Sequence, residues 1–162
     1  MSTTVAIPDF GALLAPYIGS VPQDAIPAFL ASLERTAAER YRMWADEVPA
    51  HSEGLLQCAA REDEIARRAE VIYPAPRKDQ QDAISKAIIP ARDTYYEVFA
   101  KYTPIEQMAI QANAERQGAA AWRAMMDSNN AQALNAELEE IAQIEEVSAD
   151  YLDGLLERMG FK

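Results

Sequence analysis

Two stretches of this chain set a glutamate in the same surroundings. "LERTAAERY" places Glu34 three residues before Ala37 and seven before Tyr41, and "AERQGAAAW" places Glu115 three before Gly118 and seven before Trp122. No other glutamate has Gly or Ala at the third following position together with an aromatic at the seventh. A second glutamate follows each: Glu62 in "CAAREDEIARR", 28 residues after Glu34, and Glu145 in "IAQIEEVSA", 30 residues after Glu115. Ala59 and Ala66 flank Glu62, as Ala142 and Ala149 flank Glu145, so a helical period puts all four carboxylates on apolar faces. A small residue one turn beyond a buried carboxylate leaves room for neighbouring side chains, and an aromatic two turns on fills the next core layer. Burying a carboxylate alone is costly. Four in one core must share protons, find arginines or hold a cation. Arg35, Arg61 and Arg116 stand next to three of the four; they point elsewhere on their own helix but can reach across to another.

The elements that would carry these residues are all helical. Residues 1–23 form a Pro- and Gly-rich lead-in with one short helix around Phe10–Tyr17. From Asp24, a candidate cap with Pro27 in the first turn, Leu30, Leu33, Ala37, Tyr41, Trp44 and Val48 recur at helical steps until Pro49. A second helix is expected over residues 52–73, with Leu55, Cys58, Ile65 and Ile72 on one face. A third spans about 80–102 and is interrupted by Pro90. Thr103-Pro104-Ile105-Glu106 is a capping-box start for a helix running to about Asp127, where Met125 and Met126 read as core. A last helix covers about 131–159 and stops at Gly160. No segment alternates with a two-residue period, so strands are not expected. The organisation expected is a single domain, residues 1–162, with helical pairs over 24–73 and 104–162, each antiparallel, joined by a long crossover over 74–103.

On these residues the chain resembles the ferritin-like superfamily, in particular its rubrerythrin-type members. Those build a di-metal site in a four-helix bundle from one Glu on each of two helices and a Glu-x-x-His on each of the other two. The resemblance covers about residues 24–73 and 104–157 and implies a four-helix bundle with an internal pseudo-twofold repeat. It matches Glu34 and Glu115 to the single glutamates, and Glu62 and Glu145 to the bridging ones, with Tyr41 and Trp122 behind them. Both histidine positions depart from the pattern: they hold Ile65 and Ser148. The one histidine, His51, lies in a turn and replaces neither.

Two functions follow as expectations. The first is a non-catalytic ferritin-like protein that serves binding or assembly, with no catalytic residues and no cofactor. The second is a carboxylate-only metal protein, whose oxygen donors suit Mn²⁺, Mg²⁺ or Ca²⁺ better than a redox iron (Fe) pair. A weaker third is a small-molecule pocket in the core, with protonated glutamates donating hydrogen bonds. A homodimer is expected from the habit of ferritin-like relatives, with any protein or small-molecule partner unassigned.

Composition narrows the partners. Asp and Glu number 26 against 15 Lys and Arg, a net charge of −11, which opposes binding to nucleic acid or to anionic membranes. The one cysteine, Cys58, makes an intramolecular disulfide impossible and falls on an apolar face. The opening "MSTTVAIPDFGALLAPYIG" has no basic region, and Pro8, Asp9 and Gly11 interrupt its apolar run. It reads as neither a signal peptide nor a membrane span, and a cytoplasmic location is the expectation.

Overall fold

A computed structural model describes residues 5–161. Among the described residues there are six α-helices and no strand: α1 (Phe10–Ile18), α2 (Ile26–Glu47), α3 (Ser52–Ile72), α4 (Lys78–Glu97), α5 (Pro104–Ala124) and α6 (Gln132–Arg158). The chain is all-α, and none of these helices is long and apolar enough to cross a membrane. It divides into two compact units, residues 9–100 and residues 101–161 together with 5–8.

In the unit of residues 9–100, α2 and α3 pack along their length. Short 3₁₀ turns lead into both, Gln23–Ala25 before α2 and Pro49–His51 before α3. Asp24 does not cap α2. It lies in the first of these turns, where its carboxylate accepts from Arg77 Nη1 at 3.0 Å, so a charged partner 53 residues away takes the group that would have capped the helix. Pro27 does sit in the first turn. The buried face of α2 holds Phe29, Ala37, Tyr41 and Trp44, against Leu55, Cys58, Ile65 and Ala69 among the buried residues of α3.

The crossover is more regular than its sequence promises. Helix α4 begins two residues before its expected start, with Gln80 Oε1 accepting from the Arg77 N–H, and ends at Glu97 instead of near Tyr102. Pro90 lies inside α4 without ending it. Pro90 and Lys86 are both exposed, so the carbonyl deprived of its N–H partner falls on the hydrated side, while Ala87 and Ala91 are buried. Those two alanines join Val21 and Phe29 in a cluster packed by Leu14, Ile18 and Ile84, which ties α1 and α4 to α2. Beyond it runs an aromatic column. Tyr41 meets Trp44, Trp44 meets Phe99 and Phe99 meets Tyr95 edge-on at ring separations of 5.1–5.3 Å, and the Arg40 guanidinium lies 4.6 Å above Trp44.

In the unit of residues 101–161, α5 and α6 form the second pair. The start of α5 is as expected: the Thr103 hydroxyl accepts from Glu106 N, and the Glu106 carboxylate accepts from Thr103 N at 2.8 Å. Its end comes three residues early, at Ala124. Met125 and Met126 therefore leave the helix, and Met126 is 38% exposed rather than part of the core. Helix α6 stops at Gly160, whose φ of 70° is the left-handed turn a helix terminus favours. The N–H of Gly160 reaches Glu157 O and that of Phe161 reaches Leu156 O, so two terminal carbonyls are satisfied. The Gln117 amide also donates to Pro8 O at 2.9 Å, which holds Pro8 on α5.

Candidate carboxylate site

Three of the four glutamates singled out are buried, Glu62, Glu115 and Glu145, each 1–2% exposed, and Glu34 is half-buried. In the α5–α6 pair the local geometry is well defined. Gln111 Nε2 donates to Glu115 Oε1 at 2.8 Å, one helical turn earlier on the same face. Trp122 Nε1 donates to Glu145 Oε1 at 3.2 Å. Gly118 is the floor on which that carboxylate rests: a Cβ there would stand 2.7 Å from Glu145 Oε1 and 3.0 Å from its Cδ. The small residue three after Glu115 and the aromatic seven after it thus both serve Glu145 on the facing helix. Trp122 is a hydrogen-bond donor as well as a core side chain.

In the α2–α3 pair, Glu62 is buried between Ala59 and Ala66, and the matching small and aromatic residues, Ala37 and Tyr41, are buried too. Arg61 donates to Cys58 Sγ at 3.2 Å. Both positions at which the resemblance implies a histidine lie inside, with Ile65 and Ser148 fully buried.

A second pattern surrounds the glutamates. Arg35, next to Glu34, binds Glu70 through two nitrogens at 2.8 and 3.0 Å, and Arg42, seven residues on, pairs with Asp63. In the other pair Arg116, next to Glu115, bonds Asp153, and Arg123, seven residues on, pairs with Glu146. Counted from the four glutamates, the positions agree in both halves. Arginines stand one and eight residues after the first glutamate, and acids one and eight after the second. The +1 arginine meets the +8 acid and the +8 arginine meets the +1 acid, the crossing that antiparallel helices require. Asp150 and Glu139 add further partners to Arg116 and Arg123, and the neighbouring carboxylates raise the pKa of Arg35, Arg116 and Arg123. Arg35 and Arg116 are therefore committed to acids on the flank of each pair.

Reading the residues beside each glutamate found Arg35 and Arg116 but passed over Arg42 and Arg123. Their seven-residue spacing was the available signal. No family model, curated protein or solved structure matches the chain. Chemically, the α5–α6 pair offers buried carboxylate oxygens held by neutral amide and indole donors.

Proposed function

We propose that this chain is a non-catalytic ferritin-like protein, a four-helix bundle with an internal repeat. Its buried glutamates are inherited from a di-metal design, and its role is binding or assembly, as a homodimer. The observation that carries this reading is the full burial of Ile65 and Ser148, each three residues after a buried glutamate. At that place a side chain points inward, and neither residue supplies a nitrogen ligand. The donors do not fit a redox iron pair of the Glu-x-x-His kind. The repeat is supported by the glutamate, small-residue and aromatic spacing, and by the arginine–acid crossing found in each pair.

The second reading, a carboxylate-only centre for a hard cation, is favoured by the burial of Glu62, Glu115 and Glu145, since oxygen donors alone suit Mn²⁺, Mg²⁺ or Ca²⁺. Elemental analysis of the purified protein, followed by incubation with Fe²⁺ or Mn²⁺ and desalting, separates the two. The expected result is no stoichiometric metal and no oxygen consumption with Fe²⁺. A retained equivalent of Mn²⁺ would establish the second reading, and oxygen consumption with Fe²⁺ would overturn the first.

A further inference from the structure

The arginine–acid crossing has a bearing on the glutamates themselves. Successive residues of an α-helix point about 100° apart, so the rotation of a helix about its axis decides whether a given side chain faces in. In α2 that rotation is set by large apolar side chains, Phe29, Tyr41 and Trp44. Helix α5 has less to hold it. It buries Met108, Ile110 and Trp122, but three of its eight buried residues, Gln107, Gln111 and Glu115, are polar or charged, and the position facing Glu145 is Gly118. The polar part of that seam gains less by burial than an apolar one, so apolar packing fixes the rotation of α5 less firmly than that of α2.

We infer that Arg116 and Arg123, through Asp153 and Glu146, are positioning residues that hold α5 and α6 in the rotation placing Glu145 against Gly118 and Trp122. Arg123 binds the residue immediately after Glu145, and Arg116 the residue eight after it, so the two ties fix α6 at both ends of the two turns that matter. Exposed ion pairs add little to stability singly, and their effect here is on geometry. Arg35 and Arg42 form the same ties in the other pair, where the aromatic seam already suffices. The inference deepens the reading of the buried glutamates as an inherited site.

The test is the Trp122 indole N–H resonance of the protein, assigned with Trp122→Phe. In an Arg116→Ala, Arg123→Ala variant that keeps its helical circular dichroism, this resonance should move toward the position of a solvent-exposed indole. Exchanging the charges, with Arg116→Asp, Asp153→Arg, Arg123→Glu and Glu146→Arg together, should return it. The matching Arg35→Ala, Arg42→Ala variant should leave it in place. A folded double-alanine variant with an unmoved resonance would overturn the inference. If that variant fails to fold, the charge-exchanged protein decides: a parental resonance supports the positioning role, and a displaced one refutes it. Metal content plays no part in this readout, so its failure is distinct from failure of the functional reading.

Discussion

The Glu145 carboxylate occupies the space that a methyl group on Gly118 would need. Replacing a mid-helix glycine by alanine ordinarily stabilises by about 1 kcal/mol. Here the new Cβ must displace the carboxylate and weaken its bond from Trp122, a loss of about 1 kcal/mol or more. Gly118→Ala is therefore expected to bring no gain in urea denaturation and to shift the indole N–H resonance; a clear rise in midpoint would show that Glu145 moves freely. Glutamine is a gentler probe, since it keeps the shape and the accepting oxygen while removing the charge that is costly to bury. A Glu62→Gln, Glu145→Gln protein should melt no lower than the parent at pH 7. Melting several degrees lower, with metal in the parent and none in the variant, would point to the carboxylate-only centre, because a ligand bound to the native state stabilises it. On the surface, hydrogen bonds from Arg67 and then Arg68 lower the Glu64 pKa to about 2. Its folded value lies below its unfolded one, so its contribution is present above about pH 4.5 and is lost as pH falls toward 2. Glu64→Gln should flatten the acid limb of the stability profile in that window, and carboxyl NMR should give a midpoint near 2 in the parent. At this scale the spacing of Glu, Gly and Trp was readable, because it follows from helical period alone. That Trp122 serves the glutamate of the facing helix was not, since the pairing of faces is a tertiary fact.

Helix ends show which signals are local. Thr103 with Glu106, and Gly160 after α6, act through neighbours within a few residues, and both are where the sequence puts them. Removing the Thr103 cap with alanine should cost about 1 kcal/mol, measurable by urea denaturation, with faster amide exchange confined to the first turn of α5. Replacing Gly160 by alanine forces a side chain into the left-handed region at a cost of about 1 kcal/mol, and should fray the last turn of α6. Asp24 carries the same local signal as Thr103 but spends it on Arg77, a residue brought near only by folding. Pro90 reads as a break because its missing N–H is a local fact. The helix persists because Ala87 and Ala91 on its buried face are packed against α1 and α2, and packing outweighs the lost bond.

For the molecule as a whole, the all-helical class and the two helical pairs were legible from hydrophobic period, since each pair is joined by a short turn and buries one face of each helix. The partnership of α1 with α4 was not, because their contact depends on a return of the chain across some seventy residues. Self-association follows from the ferritin-like reading, and light scattering at working concentration should give twice the mass of 17.9 kDa; a monomer at every concentration would count against it. The bond from Gln117 to Pro8 carries a different kind of consequence. Pro8 is made before the unit of residues 9–100, yet the helix it lies on is made about a hundred residues later, after the whole of that unit. Synthesis favours closure of the unit of residues 9–100 before that of the unit formed by residues 101–161 with 5–8, so residues 5–8 wait for α5. An alteration at residues 5–8 should accordingly leave the unit of residues 9–100 intact and be felt in the unit of residues 101–161.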